Sequence, residues 1–296
     1  MNIMKHRTKY FIFSGVLITL GFISMAIWGL PLSIDFTGGS LLETRFESGN
    51  IPELPEIRAL YDAAGYDEAI VQSYGDDAVI IRTQQIDTAT NNDLIEEMEA
   101  AFNDDLTILR FESVGPTVGR EVASRAAGAV ALAALGMLIY IWLAFRGVAN
   151  AHRYGISALS ALIHDVVMVI GIQAMLGRFF GWEVDALFLT AMLTIIGYSV
   201  LDSIVVFDRI RENTNIYRRV EYETIVNHSV VQTLDRSLNT QLTVLFPMLA
   251  LALFGGATIR HFVVILILGL ISGTYSSIFH ASPLLVVWDN WANRRK

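Results

Sequence analysis

The sequence contains no cysteine among its 296 residues. This absence excludes disulfide bonds and thiolate metal sites. Charged residues are also scarce, at 17%, whereas hydrophobic residues make up 53%. Together with a mean hydropathy of +0.49, this composition is typical of an integral membrane protein.

Several enzyme signatures are missing as well. The sequence has neither a G-x-x-x-x-G-K-[ST] phosphate-binding loop nor an H-E-x-x-H zinc motif. The segment 197–201 lacks the last glycine of a G-x-S-x-G nucleophile elbow. Asp165 and Asp202 leave intramembrane proteolysis formally open, but neither lies in a sequence that resembles the aspartyl types. We predict a protein that is not an enzyme, needs no cofactor or metal, and binds no nucleic acid, because its basic residues flank apolar runs and form no basic face.

Six hydrophobic runs are each long enough to cross the hydrocarbon core of a membrane, which is ~30 Å thick. They are Phe11–Leu30, Ala126–Phe145, Tyr154–Leu176, Ala186–Phe207, Ser237–Ile259 and Phe262–Trp288. A signal peptide is the rival interpretation of the first run, but its apolar core is too long and no small-x-small cleavage site follows it. We therefore predict six transmembrane helices, the fifth of which starts early, within the 209–236 connection, where apolar residues keep helical spacing.

The basic residues predict the orientation of these helices. The N-terminus, the 146–153 and 209–236 loops and the tail after Trp288 hold 13 of the 21 lysines and arginines. Because cytoplasmic loops carry an excess of positive charge, both termini are expected in the cytoplasm. The long segment between the first two spans is then expected on the opposite side.

That long segment, residues 31–122, has the composition of a soluble domain, with 19 acidic residues against five basic ones. Its patterns predict a β-α-β-β-α-β order, which is typical of a ferredoxin-like unit. The predicted elements are strand Gly39–Phe46, helix Pro52–Ala64, strand Ala69–Tyr74, a turn at Gly75-Asp76-Asp77, strand Ala78–Thr83, helix Asn91–Phe102 and strand Leu106–Phe111. The predicted domains are thus 1–30 with the first span, the outer domain 31–122, and the five-helix bundle 123–296.

One aspartate, Asp202, lies inside the fourth hydrophobic run. A charge near the middle of a membrane costs roughly 2.5–3.5 kcal/mol, so such a residue is expected to face protein or water and to be functional. Arg236 opens the fifth run at a matching depth and is the predicted partner of Asp202. The competing interpretation is a buried ion pair that only holds two helices together.

Other polar residues follow helical spacing inside the spans. In the fourth span Ser199, Asp202, Ser203 and Val206 share one face, and in the fifth span Arg236, Asn239, Thr240 and Thr243 do the same. These two stripes predict a hydrated seam for protons. His164 and Asp165 form a second embedded pair, for which a structural hydrogen bond is an equal alternative. Asp208 lies at the membrane edge, where interfacial pairing is the simpler explanation, and His280 is expected to be an isolated packed residue.

Several motifs, taken in order along nearly the whole chain, resemble the SecF family, the smaller membrane subunits of the SecD-SecF complexes of bacterial protein export. They are Asp35-Phe36-Thr37-Gly38-Gly39, the segment 113–119 with Gly115, Pro116 and Gly119, His164-Asp165, the stretch from Tyr198-Ser199 through Asp202 to Asp208-Arg209, and Arg236.

This resemblance implies an RND-superfamily architecture in the bacterial inner membrane, in which a SecD partner supplies the other six helices. It also implies that proton flow helps to pull polypeptide out of the SecYEG channel on the outer side, after SecA has pushed it from within. By the same resemblance, Asp202 and Arg236 match embedded charges that the family uses to conduct protons. Two alternatives are half of an RND-type small-molecule exporter and a translocase scaffold that conducts no protons.

Overall fold

The computed structural model describes residues 2–75, 77–147 and 150–294, without the side chains of residues 257 and 258. Within these ranges, six helical stretches are long and apolar enough to cross a membrane. They run Met4–Trp28, Pro116–Phe145, Ala151–Phe180, Ala186–Ile216, Tyr222–Phe254 and Ile259–Asn293. All six predicted spans are present, and each helical stretch extends beyond its predicted apolar run at one end or both.

The described residues form ten α-helices and four strands. The helices are α1 (Arg7–Trp28), α2 (Ile34–Thr37), α3 (Leu54–Ala63), α4 (Thr88–Phe102), α5 (Pro116–Phe145), α6 (Ala151–Phe180), α7 (Ala186–Ile216), α8 (Tyr222–Phe254), α9 (Ala257–Ser276) and α10 (Ser282–Asn293). The strands are β1 (Gly39–Phe46), β2 (Ile70–Tyr74), β3 (Ala78–Thr83) and β4 (Leu106–Val114). They fall into two compact units, one of residues up to 31 and from 128 onward, the other of residues 32–127.

Helix α7 lies at the centre of the helical unit, packed against α6, α8 and α9. Half of the residues in the most apolar 18-residue segment of α7 are buried inside the chain. In α5 and α8 only 11% of the corresponding residues are buried. Apolar side chains on the outer helices, such as Leu132 on α5 and Phe246 on α8, are 70% and 64% exposed. Those surfaces suit contact with lipid or with another membrane subunit.

Helices α1 and α6 cross at Gly21 of α1 and Gly171 of α6. A methyl group added to Gly171 would lie 2.3 Å from the Cα of Gly21. Small residues at such a crossing let two helix backbones approach within van der Waals contact, which is the main attraction between helices in a membrane.

The last span is interrupted. Helix α9 leads into a π-helical turn, Ser277–Ala281, and then into α10. Such π-helical turns frequently occur at functional sites because they change which side chains face a neighbouring helix. Here the Ser277 hydroxyl donates to the Gly273 carbonyl at 2.9 Å, and the buried Ser282 at the start of α10 donates to the Ser277 carbonyl at 2.8 Å.

The second unit is a four-stranded antiparallel sheet in the order β2-β3-β1-β4. Along the chain its elements follow the predicted β-α-β-β-α-β order. Its hydrophobic core includes Phe46 of β1, Ile81 of β3, Tyr61 of α3 and Met98 of α4, each 1% exposed or less. The core therefore lies between the sheet and its two helices, as alternation along the strands requires.

Several boundaries in this unit differ from the prediction. Helix α3 spans Leu54–Ala63 rather than Pro52–Ala64, and strand β2 begins at Ile70 rather than Ala69. Helix α4 begins at Thr88 rather than Asn91, because the Asp87 side chain accepts a hydrogen bond from the Thr90 amide at 2.9 Å and caps the helix. Strand β4 continues to Val114 rather than Phe111, because its last residues pair with the start of β1. The predicted turn at 75–77 includes Asp76, which lies outside the described residues.

Candidate functional site

Asp165 on α6 lies at the junction of three helices and is 1% exposed. Its Oδ2 accepts hydrogen bonds from Ser199 of α7 at 2.5 Å and from Ser276 of α9 at 2.7 Å. Its Oδ1 accepts one from Ser272 of α9 at 2.7 Å and lies 3.0 Å from Nδ1 of His164. A carboxylate away from water needs such donors, so Asp165 ties α6, α7 and α9 together.

The pair of His164 and Asp165, predicted as embedded, is indeed buried. The His164 ring lies 5.2 Å from that of His280, centroid to centroid. His280 Nε2 lies 2.9 Å from the hydroxyl of Ser160, so the expectation that His280 is isolated was wrong. Within the described residues, His164 Nε2 and His280 Nδ1 are buried without a hydrogen-bond partner.

Asp202 on α7 is 4% exposed and has a sparser environment than Asp165. Its Oδ2 accepts hydrogen bonds from Gln241 Nε2 of α8 at 3.2 Å and from Thr274 Oγ1 of α9 at 3.1 Å. Both donors are neutral, and both hydrogen bonds are long. Asp202 thus contacts two neighbouring helices without a charged partner among the described residues.

The predicted polar stripe of α7 is present and buried. Ser199, Asp202, Ser203 and Val206 are each 4% exposed or less. Ser199 reaches Asp165, while the Ser203 hydroxyl lies 2.9 Å from that of Ser277 at the start of the π-helical turn. The stripe therefore contacts Asp165 through Ser199 and the π-helical turn after α9 through Ser203.

The predicted contact between Asp202 and Arg236 is wrong for this chain. Arg236 is exposed on α8, and the described residues contain no ion pair between the two side chains. Each residue along a helix turns the side chain by about 100°, so neighbours in sequence face different ways. On α8, Ser237 and Gln241 are buried and Gln241 contacts Asp202, whereas Arg236 is exposed.

Thr240 belongs to the same exposed face as Arg236 and is not brought to Asp202. Asp208 is exposed near the end of α7, where its Oδ1 lies 2.5 Å from a guanidinium nitrogen of Arg211. This geometry agrees with the simpler explanation of interfacial pairing. Of the predicted seam residues, Asp202 is contacted by Gln241 of α8 and Thr274 of α9 rather than by Arg236 or Thr240.

The two glycine-containing motifs pack against each other. Asp35, Phe36 and Thr37 lie in the short helix α2, capped by the Ser33 hydroxyl, which accepts from the Asp35 amide at 3.2 Å. Gly38 follows with a φ of +76°, and a methyl group there would lie 2.6 Å from the Cα of Pro116.

Two of the other three glycines of these motifs are equally tight. A methyl group on Gly119 would lie 2.7 Å from the Gly38 amide nitrogen, and one on Gly39 would lie 2.6 Å from the Thr83 carbonyl oxygen. Only Gly115 separates β4 from α5, which begins at Pro116. The motifs therefore form a close joint between the sheet and the first turn of α5.

The sequence prediction missed the side chains that contact the aspartates from α8 and α9. These are Gln241, Ser272, Thr274 and Ser276. A usable signal was present, since the segment 272–277 carries four hydroxyl side chains of serine or threonine inside an apolar run. Within the described residues, no cluster of three or more histidine, aspartate or glutamate side chains could hold a metal ion.

Fold and site together define a polytopic α-helical membrane protein with buried carboxylates in its bundle. A family model for the C-terminal part of the protein export membrane proteins SecD and SecF matches residues 94–291, and a SecD/SecF GG-motif model matches residues 23–49. The chain therefore belongs to the SecD/SecF family of protein export membrane proteins.

Similar proteins agree with this assignment. Protein translocase subunit SecF of Anaerolinea thermophila is 54% identical over 99% of this chain and 96% of its own length. Protein translocase subunit SecF of Thermobaculum terrenum is 46% identical, over 98% of this chain and 94% of its own length. The crystal structure of SecDF from Thermus thermophilus matches 98% of this chain with 33% identity and a TM-score of 0.85. This chain spans 39% of that longer SecDF chain.

Proposed function

We propose that this chain couples proton binding at Asp202 to the late stage of polypeptide translocation through the SecYEG channel. The chain is a membrane subunit of the Sec protein translocase, as the names of its relatives indicate. The observation that carries the proton proposal is that Asp202 is buried with two neutral donors. An unpaired carboxylate in such a place favours exchange between charged and neutral forms.

Gln241 suits both forms of Asp202. Its Nε2 donates to the carboxylate at 3.2 Å, whereas its Oε1 is buried without a hydrogen-bond partner in the described part of the chain. A protonated carboxyl group becomes a donor, and rotation of the amide would present Oε1 to accept from it. The hydroxyl of Thr274 can likewise donate or accept. Protonation therefore changes how α7 holds both α8 and α9.

The energy released by proton movement is comparable to the cost of an ionised side chain in the membrane. Moving one proton across 100 mV supplies ~2.3 kcal/mol, and an ionised side chain in a membrane helix costs roughly 2.5–3.5 kcal/mol. One proton binding step can thus bias two arrangements of helices that differ by a few kcal/mol. Asp165, held by His164 and three serines, instead serves as the fixed point that keeps α6, α7 and α9 together.

A SecD-type subunit would cover the exposed faces of α5 and α8. The face of α8 that carries Arg236, Asn239, Thr240 and Thr243 is exposed in this chain. An arginine facing lipid is costly, so this face fits a partner that supplies acceptors or water. Arg236 then acts at the boundary between the two subunits. The greater length of the SecDF chain from Thermus thermophilus is consistent with a second half.

The sheet unit is proposed to be a ferredoxin-like domain on the outer side of the bacterial inner membrane, with both chain termini in the cytoplasm. Its sheet order and its β-α-β-β-α-β sequence support the fold, and the positions of basic residues support the orientation. The joint between Gly38, Pro116 and Gly119 would transmit movement of α5 to this domain. SecA would act from the cytoplasmic side.

The test is proton flux and export in vesicles that contain this chain, its SecD-type partner, SecYEG and SecA. Asp202→Asn keeps the size and the hydrogen bonds but cannot ionise, so we expect flux and late-stage export to be lost while the complex still assembles. Asp208→Asn, on the same helix but exposed, is the matched control and should keep both. Unchanged export by Asp202→Asn would reject the proton proposal in favour of a scaffold that conducts no protons.

A second alternative, half of a small-molecule exporter, is tested in the same vesicles. Export of dyes or hydrophobic cations that depends on Asp202, without an effect on protein export, would favour it. The names of the relatives favour polypeptide as the substrate.

A further inference from the structure

Strand β2 forms one outer edge of the sheet. It pairs with β3 along its whole length. Within the described residues, the backbone of Ile70–Ser73 makes no hydrogen bond to any other element. An edge strand directs alternate N–H and C=O groups out of the sheet, where they can pair with another extended chain.

The two edges of the sheet differ in how well they are protected against pairing with another chain. Natural sheets block their edges with charges, prolines or bulges. At the β4 edge, Arg110 and Glu112 form an ion pair at 2.7 Å, and the pairing with β1 is irregular at Glu43 and Thr44. Strand β2 has neither a charge nor a proline in its sequence Ile-Val-Gln-Ser-Tyr, and Ile70 is 55% exposed. The β2 edge is therefore open to pairing.

A groove lies beside this open edge. It is a cavity of about 320 Å³ between the start of α3 and the start of β2. Leu54 and Pro55 line it from α3, and Ala69 and Val71 from the strand, so much of its lining is apolar. Arg58 and Glu68 add one charge of each sign. A chain lying along β2 would place an apolar side chain in this groove.

We propose that the β2 edge and this groove bind an extended segment of the translocating polypeptide as an added strand. Main-chain hydrogen bonds along the edge do not depend on the sequence of the bound segment, and the groove adds a preference for one apolar side chain. This combination suits a protein that handles many unfolded chains. The inference rests on the proposed function, since it takes the substrate of the translocase as the bound molecule.

The absence of cysteine in this chain allows a direct test by disulfide cross-linking. Ser73→Cys places a single thiol on the exposed edge, and Ala100→Cys places one on the exposed side of α4 as a control. Each variant is assembled with its SecD-type partner, SecYEG and SecA in vesicles. A secretory precursor with one cysteine is then halted part-way through export.

We expect the precursor to cross-link to Ser73→Cys about tenfold more than to Ala100→Cys, because one main-chain-paired site of modest affinity gives at least that preference. Pro55→Glu, introduced into the Ser73→Cys chain, should lower the yield about tenfold because it brings a charge into an apolar groove. Ala59→Glu adds the same charge to α3 outside the groove lining and should leave the yield unchanged.

Two results would overturn the proposal. Equal yields from Ser73→Cys and Ala100→Cys would mean that the edge has no preference for the precursor. Cross-linking of Ser73→Cys to the SecD-type partner in place of the precursor would make the edge a subunit interface. Asp202-dependent proton flux, measured in the same vesicles, separates the two ideas: intact flux without cross-linking rejects the edge alone, whereas flux independent of Asp202 rejects the proposed function.

Discussion

The hydroxyl of Ser199 lies 2.5 Å from Oδ2 of Asp165, and this contact joins α7 to α6 one helical turn before Asp202. Asp165 also accepts hydrogen bonds from the hydroxyl groups of Ser276 and Ser272 of α9. Asp202 has only Gln241 and Thr274. The bundle thus contains one carboxylate with many donors and one with few, and in the proposed function the first holds helices together while the second exchanges protons.

The holding role of Asp165 predicts a large effect of its donors on stability. Ser276→Ala should lower the free energy of unfolding by about 1.5–3 kcal/mol, because hydrogen bonds to charged groups are the stronger ones. Ser282, equally buried, donates to the Ser277 carbonyl at 2.8 Å, and Ser282→Ala should cost about 0.5–1.5 kcal/mol. Unfolding of the purified chain by denaturing detergent measures both. Equal losses would contradict a special contribution of the Asp165 hydrogen bonds to holding the helices together.

Gln241 is expected to be needed for proton flux but not for assembly. Gln241→Leu keeps the volume of the buried face of α8 but removes both the donor and the acceptor beside Asp202. Flux in vesicles should fall at least tenfold, which corresponds to about 1.4 kcal/mol in a barrier. Asn239→Leu removes a similar amide from the exposed face of the same helix. A loss of flux from Asn239→Leu alone would move the proton path to the subunit boundary.

The exposed position of Arg236 predicts a different consequence. Arg236→Leu should leave the stability of the isolated chain within about 0.5 kcal/mol, as is usual for a surface substitution. In contrast, it should weaken assembly with the SecD-type partner, measured as the fraction of partner that copurifies at rising detergent concentration. If the isolated chain is strongly destabilised while assembly is kept, Arg236 has a partner within the chain, and the geometry described above is wrong.

The joint at Gly38 can be tested with two glycines of similar backbone conformation. Gly38 and Gly49 have φ values of +76° and +74°, but only at Gly38 would a methyl group meet backbone atoms of another segment. Gly49→Ala should cost about 1–2 kcal/mol from backbone strain. Gly38→Ala adds a clash with Pro116 and should cost about 2–5 kcal/mol. Calorimetric unfolding compares the two, and equal losses would argue against a close joint.

Much of the fold was predictable from local patterns. Strands β1 and β3 begin and end at the predicted residues, because alternation and turn residues specify them within a few positions. All six spans were found by the length of their apolar runs. The acid inside the fourth span predicted that Asp202 is kept away from lipid, and it is 4% exposed.

The partner of Asp202 was not predictable in the same way. Whether α8 turns Arg236 or Gln241 toward α7 depends on a helix rotation of a fraction of a turn, which tertiary packing decides. The arginine attracted the prediction because opposite charges are expected to pair. In the fold, the donors are neutral and the arginine is exposed, so the pattern located the depth of the site but not the helix face.

The cap of α4 predicts a pH dependence for the sheet unit. Hydrogen bonds from the backbone and side chain of Thr90 hold the pKa of Asp87 below its usual value. The ionised side chain therefore favours folding at pH values above the unfolded pKa of about 3.9, and this contribution is lost as the pH falls through the lower folded pKa. Asp87→Asn keeps an acceptor for the cap but does not titrate. The melting temperature of the wild type should exceed that of Asp87→Asn by a constant amount between about pH 5 and pH 7, and calorimetry should show this difference shrinking below about pH 4. A difference that stays constant down to about pH 3 would mean that the cap does not depend on the charge of Asp87.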